Sequence, residues 1–274
     1  MMCRAIAVVV LVACGSTSST PPPRTFGGDR PVNLQVPSTV EDGKRYPLVV
    51  VLHGFGANGF VQEAYFGMSS LAADDTAFVL APDGTTNSLG KQFWNADPNC
   101  CDHEHQNPDD VAYLGGLIDE VSAAWPIDPK AVVVIGHSNG GYMAYRLACD
   151  RADVIGDIVV LAGQAASTTC TPSRAVNVLH IHGSADDTVP FAVAAPSVQT
   201  WAAYDHCGAK RDLGPALDLD GTIAGSETRT EVATGCPAGV AVELWTVEGG
   251  GHIPSLTSAF EPAVWQWLID HRRS

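Results

Sequence analysis

Residues 131–145 read AVVVIGHSNGGYMAY, and no other stretch constrains the fold as tightly. A β-branched run at 132–135 stops at Gly136. His137, Ser138, Asn139 and Gly140 follow, and then apolar residues recur at helical spacing. A buried strand turning sharply into a helix is the setting that the G-x-S-x-G nucleophile elbow requires. The turn lifts a serine hydroxyl above the sheet. Gly136 and Gly140 flank it because side chains there would collide with the neighbouring strand and helix. The pattern is short and the chain holds 27 glycines, so its meaning depends on partners for Ser138.

A serine hydroxyl is a weak nucleophile without a base, and the base needs an acid to orient it. The expected chain order on such a sheet is Ser, then Asp or Glu, then His. A second apolar run, 176–181, ends in HGSADDTVP and offers Asp186, with Asp187 as the alternative. A third, 240–247, ends in Glu248-Gly249-Gly250-Gly251-His252. Each candidate follows the carboxyl end of a strand, where open α/β sheets place their sites. The assignment is Ser138 as nucleophile, His252 as base and then acid, and Asp186 as orienter. A histidine base acts only when neutral, so kcat/KM is expected to rise through the imidazole range, about pH 6–7.

The strand at 47–52 (PLVVVL) leads into HGFGANG at 53–59. Backbone N–H groups of such a glycine-rich loop can hold a substrate oxyanion. The expected donors are those of Phe55 and of Asn139, the residue after the nucleophile. His53 is read as a brace for this loop. The absence of G-x-x-x-x-G-K-[ST] argues against a phosphate cradle. Phe93 and Trp94, in the turn-rich segment 83–99, are candidate substrate contacts or core aromatics.

At 274 residues the chain suits one large α/β domain. Its net charge of −15 argues against nucleic acid as a partner. The N-terminus reads as an export signal: Arg4 precedes an apolar stretch, 5–13, too short to span a bilayer. Residues 11–14 (LVAC) resemble a lipobox, which makes Cys14 the expected lipidation site. The organisation expected is a signal peptide at 1–13, a tether at 14–25 and a catalytic domain at 26–274. The only membrane contact expected is a lipid anchor at the bacterial cell envelope.

Six cysteines remain after the leader and Cys14: Cys100, Cys101, Cys149, Cys170, Cys207 and Cys236. Export places them in an oxidising compartment. Cys207 and Cys236 bracket one excursion and are expected to pair. The other four are expected to find partners among themselves, in an unspecified pattern. The run CCDHEHQNPDD (100–110) offers metal-ligand types, but no second cluster with zinc spacing accompanies it. Disulfides are therefore expected there, and no metal.

Strands are expected at 32–36 and 77–81 and at 158–161. Helices are expected at 62–73, from Asp109 or Asp110 to about 124, at 139–149, and from near Phe260. The last is expected to bury Val264, Trp265, Leu268 and Ile269. Pro126 and Pro129 are read as ending the 109–124 helix before the nucleophile strand. Residues 212–235 are polar and glycine-rich, and read as a surface loop. Alternation of strands and helices predicts a mostly parallel central sheet with helices on both faces and no large lid domain.

With these residues in view, the chain resembles the exported polyhydroxybutyrate depolymerase and feruloyl esterase-like group of α/β-hydrolases. The matching stretches are PLVVVLHGFG (47–56), APDGT (81–85), FWNADPNCCD (93–102), DDVAYL (109–114), IDPKAVVVIGHSNGGYMAYRLACD (127–150), HIHGSADDTVP (180–190) and GGGH (249–252). That group usually carries tryptophan and proline soon after the histidine; here Ile253 and Pro254 follow His252. The resemblance implies an α/β-hydrolase fold and an exported serine esterase without a cofactor. Its substrate would be an ester, free or carried on a polymer. Acyl transfer by the same triad, or a non-catalytic surface-binding lipoprotein, are the alternatives.

Overall fold

A computed structural model describes residues 21–165 and 170–272. In chain order the strands are β1 (Thr25–Phe26), β2 (Val32–Gln35), β3 (Tyr46–Leu52), β4 (Phe78–Leu80), β5 (Thr85–Thr86), β6 (Gln92–Phe93) and β7 (Ile127–His137). They continue with β8 (Asp157–Leu161), β9 (Asn177–Gly183), β10 (Arg211–Leu213), β11 (Thr228–Ala233) and β12 (Val242–Val247). The helices are α1 (Gly59–Phe66), α2 (Ser69–Ala73), α3 (Asp110–Ala124), α4 (Asn139–Asp150), α5 (Ala194–Tyr204) and α6 (Phe260–Asp270). The expected leader and Cys14 lie outside the described residues. Thr25, placed in the tether by sequence, already pairs with Asn33.

One sheet runs in the order β1-β2-β4-β3-β7-β8-β9-β12-β11-β10. The strands from β4 to β12 in that order are mutually parallel. The two at each edge join through antiparallel ladders. β5 and β6 form a separate hairpin.

All seven residues of β3 are buried. Helices cover both faces, so successive side chains, which point to opposite faces, all leave water. Leu48, Val50 and Leu52 pack in the same core as α3, α4 and α5, whereas Val49 and Val51 pack with α1, α2 and α6. Each such side chain contributes about 1.5–3 kcal/mol of burial.

Several expected elements differ in detail. The helix expected over 62–73 breaks at Gly67, whose φ of 73° ends α1 in a left-handed cap. β7 begins at Ile127 and takes in Pro129 rather than following it. In α6 the buried stripe is Phe260, Val264, Trp267 and Leu268, while Trp265 is half-buried and Ile269 is exposed. That stripe keeps the i, i+4, i+7, i+8 phase of a one-sided helix. Residues 212–235 are not simply a loop: they contain β11 and most of β10, with Thr228 and Thr230 buried against the sheet. Threonine is β-branched and fits such an edge.

Among the described residues three disulfides are formed: Cys207–Cys236, as expected, Cys149–Cys170, and the adjacent pair Cys100–Cys101. No helix among the described residues is long and apolar enough to cross a membrane.

Candidate active site

Register carries the candidate residues to one rim. Leu52 pairs with Gly136, His137 with Leu161, Leu161 with Ile181, and Gly183 with Val247. The loops leaving β3, β7, β9 and β12 therefore emerge side by side at the carboxyl edge of the sheet.

Ser138 sits between β7 and α4 with φ 52° and ψ −119°, a conformation that L residues avoid. Its N–H donates to the Leu161 carbonyl at 2.8 Å, and its own carbonyl receives the Tyr142 N–H at 3.0 Å. These bonds hold the turn. A side chain at Gly136 would overlap the Gly140 carbonyl, and one at Gly140 would overlap the Leu52 carbonyl. Both glycines are thus set by close backbone approach.

The loops after β9 and β12 are stitched together. Ser184 N–H donates to Val247 O (2.9 Å), Ala185 N–H to Gly250 O (2.9 Å), and Gly249 N–H to Ser184 Oγ (2.7 Å). Asp186 Oδ1 receives the N–H groups of Thr188 and Val189, both at 2.9 Å. Asp186 Oδ2 faces His252 Nδ1 at 2.8 Å, and His252 Nε2 lies 2.9 Å from Ser138 Oγ. The structure brings Ser138, His252 and Asp186 into one hydrogen-bonded line. Asp187 is exposed and receives the Thr188 hydroxyl at 3.4 Å.

Four amides line the turn after β3. Gly54 N–H goes to Gln62 Oε1, Gly56 N–H to Gln92 O, and Ala57 N–H to Gly54 O. Among the described residues no hydrogen bond takes up the N–H of Phe55 or of Asn139. Asn139 opens α4, so its N–H also stands at the positive end of a 12-residue helix.

Phe93 and Trp94 sit in the core and do not line the cavity beside Ser138. Both are fully buried. Trp94 exchanges hydrogen bonds with the Asn139 side chain (2.7 and 2.9 Å) and donates its indole N–H to His53 O at 3.1 Å. It supports Asn139 and the loop after β3 from beneath. His53 braces the same loop: its Nε2 accepts the Gly84 N–H at 2.9 Å. Burial lowers its pKa, which keeps the ring neutral.

The cavity beside Ser138 is about 370 Å³, and Phe55, Val61, Tyr65, His252 and Ile253 are among the residues lining it. Phe55, Val61 and Ile253 are exposed and make its mouth apolar. Val61 and Tyr65 escape sequence reasoning because they sit on α1 and reach the site only through the packing of that helix. His137 was hidden inside the motif. Its Nε2–H donates to the His252 carbonyl at 2.9 Å and anchors the backbone of that histidine. Burial pushes its pKa down to about 4.

His137 and His180, both held well below the ordinary imidazole value by burial, are neutral in the fold. An unfolded imidazole takes up a proton near pH 6.5. Between about pH 6.5 and 4 the unfolded chain therefore binds more protons, and stability falls as pH falls. The slope approaches about 1.4 kcal/mol per pH unit for each ring. Relief of repulsion among surface carboxylates opposes this only nearer pH 4, where they titrate. Tm is expected to drop steadily from pH 6.5 to 5; a flat or rising Tm in thermal unfolding would contradict this.

Comparison with known proteins agrees with this architecture. Residues 37–212 match the Phospholipase/Carboxylesterase family model. Feruloyl esterase B of Piromyces equi is 28% identical over 233 residues, covering 81% of this chain but 42% of that protein. The chain thus spans less than half of that relative's length. Feruloyl esterase D of Neurospora crassa is 26% identical over 241 residues, covering 84% and 76% of the two chains. Among solved structures, the acetyl xylan esterase from Aspergillus awamori superposes with a TM-score of 0.65 at 13% identity, covering 88% and 94% of the chains. At that identity the likeness shows the fold alone. Fold and matched residues together establish that this chain belongs to the Phospholipase/Carboxylesterase family of α/β-hydrolases.

Proposed function

We propose that the chain is an exported serine carboxylic-ester hydrolase that works through an acyl-enzyme. The observation that carries this is His252, which reaches Ser138 Oγ on one side and Asp186 on the other at 2.9 and 2.8 Å. Ser138 Oγ attacks the ester carbonyl as His252 Nε2 takes its proton. The amides of Phe55 and Asn139 receive the oxyanion. His252 returns the proton to the leaving alcohol, and water, activated by the same ring, releases the acid. Asp186 keeps the proton on Nδ1 and stabilises the imidazolium.

Three disulfides and the apolar leader support export, with lipidation at Cys14 as the anchor. The names of the relatives and the apolar mouth at Phe55, Val61 and Ile253 favour a feruloyl ester carried on a polysaccharide. The test compares kcat/KM for methyl ferulate, hydroxybutyrate oligomers and nitrophenyl acetate. Methyl ferulate is expected to exceed the oligomers. Preference for the oligomers would move the substrate to polyesters, and inertness toward all three would sink the hydrolase reading.

A further inference from the structure

Strand β9 carries two histidines, His180 and His182, two residues apart and therefore on the same face. Both are fully buried, and their rings stack with centroids 5.3 Å apart. Nothing in the hydrolytic steps uses them. Two buried imidazoles are a costly way to fill a core that Val178 fills with methyl groups one step earlier on the same face. Their polar atoms are nevertheless all satisfied, and in a defined direction.

The direction follows from the one partner that can only accept. His182 Nε2 lies 2.9 Å from the Val189 carbonyl, so Nε2 carries the proton. The same nitrogen lies 3.2 Å from Asp186 Oδ2, the oxygen that faces His252, as an electrostatic contact. Burial lowers the His182 pKa, so the ring is neutral and its Nδ1 holds a lone pair. That lone pair is 3.0 Å from His180 Nε2, which must donate. His180 is neutral as well. Its Nδ1 therefore accepts, and the partner at 2.8 Å is the hydroxyl of Tyr145, buried on α4. The hydrogen bonds run Tyr145 to His180 to His182 to the Val189 carbonyl, with one donor and one acceptor at every joint, and end against Asp186.

We propose that His182 is a positioning residue for Asp186: its Nε2–H holds the Val189 carbonyl, and so the segment whose amide caps Asp186 Oδ1, while the ring nitrogen lies against the oxygen that faces His252, and Tyr145 and His180 hold it in the one tautomer able to do so. The backbone amides of Thr188 and Val189 fix only Oδ1. The second oxygen has His252 and His182 as its partners. With the His182 donor removed, the Val189 segment loses its anchor and Oδ2 its second neighbour, so the carboxylate can turn away from His252 and the imidazole loses its orienter for part of the time. Partners that orient the ligands of metal sites are typically worth about 10- to 100-fold in affinity or activity, and a loss of that order is expected here.

This inference rests on the catalytic reading of Ser138, Asp186 and His252, and its test keeps the two apart. kcat and KM for nitrophenyl acetate are measured on wild type, His182→Leu, His182→Gln and Ser138→Ala, per folded molecule counted by circular dichroism and gel filtration. His182→Leu is expected to lower kcat by about 10- to 30-fold with KM changed less than about twofold. Glutamine carries an amide N–H at nearly the position of Nε2, so His182→Gln is expected to keep kcat within about threefold of wild type. A purely structural histidine would lower Tm in both variants and leave the kcat of the folded fraction untouched. Folded His182→Leu with wild-type kcat, or His182→Gln as slow as His182→Leu, overturns the proposal. Should His182→Leu not fold, imidazole NMR of the wild-type protein decides between pH 6 and 8. A proton on Nε2 and none on Nδ1 of His182 supports the assignment, and a proton on Nδ1 overturns it. Activity in Ser138→Ala would instead sink the triad reading itself.

Discussion

Replacing Ser138 by alanine is expected to lower kcat toward small activated esters by roughly 10⁴- to 10⁶-fold and to abolish labelling by a fluorophosphonate. In the proposed mechanism the loss is large because the triad acts as a unit: without Oγ, His252 would have no proton to take, and only the Phe55 and Asn139 amides would remain to favour the transition state. Tm is expected to stay within about 2 °C of wild type. The backbone of residue 138 keeps its φ of 52° with either side chain, and the bonds from its N–H and to its carbonyl are main-chain bonds. A variant that is both folded and inactive separates chemistry from stability. Retained turnover, or a label still attached to the protein, would refute Ser138 as nucleophile.

The second large effect is on folding. Gly140→Ala is expected to destabilise the protein by about 4 kcal/mol or more, the range reserved for severe packing conflicts. The added methyl would overlap the Leu52 carbonyl and press on that of His53. Leu52 ends β3 and is held in register with Gly136 of β7. Neither backbone can retreat without opening the central ladder. Against a total stability of about 5–15 kcal/mol, such a loss lowers Tm by about 10 °C or leaves the chain insoluble. Gly116→Ala, in the middle of α3, is the control. A methyl there meets nothing within 4 Å, so better helix propensity should raise stability by about 0.5–1 kcal/mol. Thermal unfolding of both variants checks the pair. Equal Tm values would mean that the close approach at the elbow is not what requires glycine.

These predictions differ in how far they could be seen in the chain itself. The strand–turn–helix around Ser138 is a local matter, readable from β-branched residues that stop at a glycine. The loops of Asp186 and His252 were readable too, because apolar runs of strand length ended just before them. Periodicity served less well where burial was one-sided or polar. Residues 212–235 hid edge strands behind threonines and glycines, and Trp265 was mistaken for the buried position that Trp267 takes.

Local pattern was enough to mark where strands end and which residue types stand there, since strand propensity, turn chemistry and chain order act over a few neighbours. It could not say what those ends face. That Asp186 rather than Asp187 meets His252, that Trp94 lies beneath Asn139 instead of in the cavity, and that Tyr145, His180 and His182 line up behind Asp186 are all consequences of register and packing. Such contacts join residues tens of positions apart. They exist only once the sheet has ordered its strands and the helices have closed over both faces.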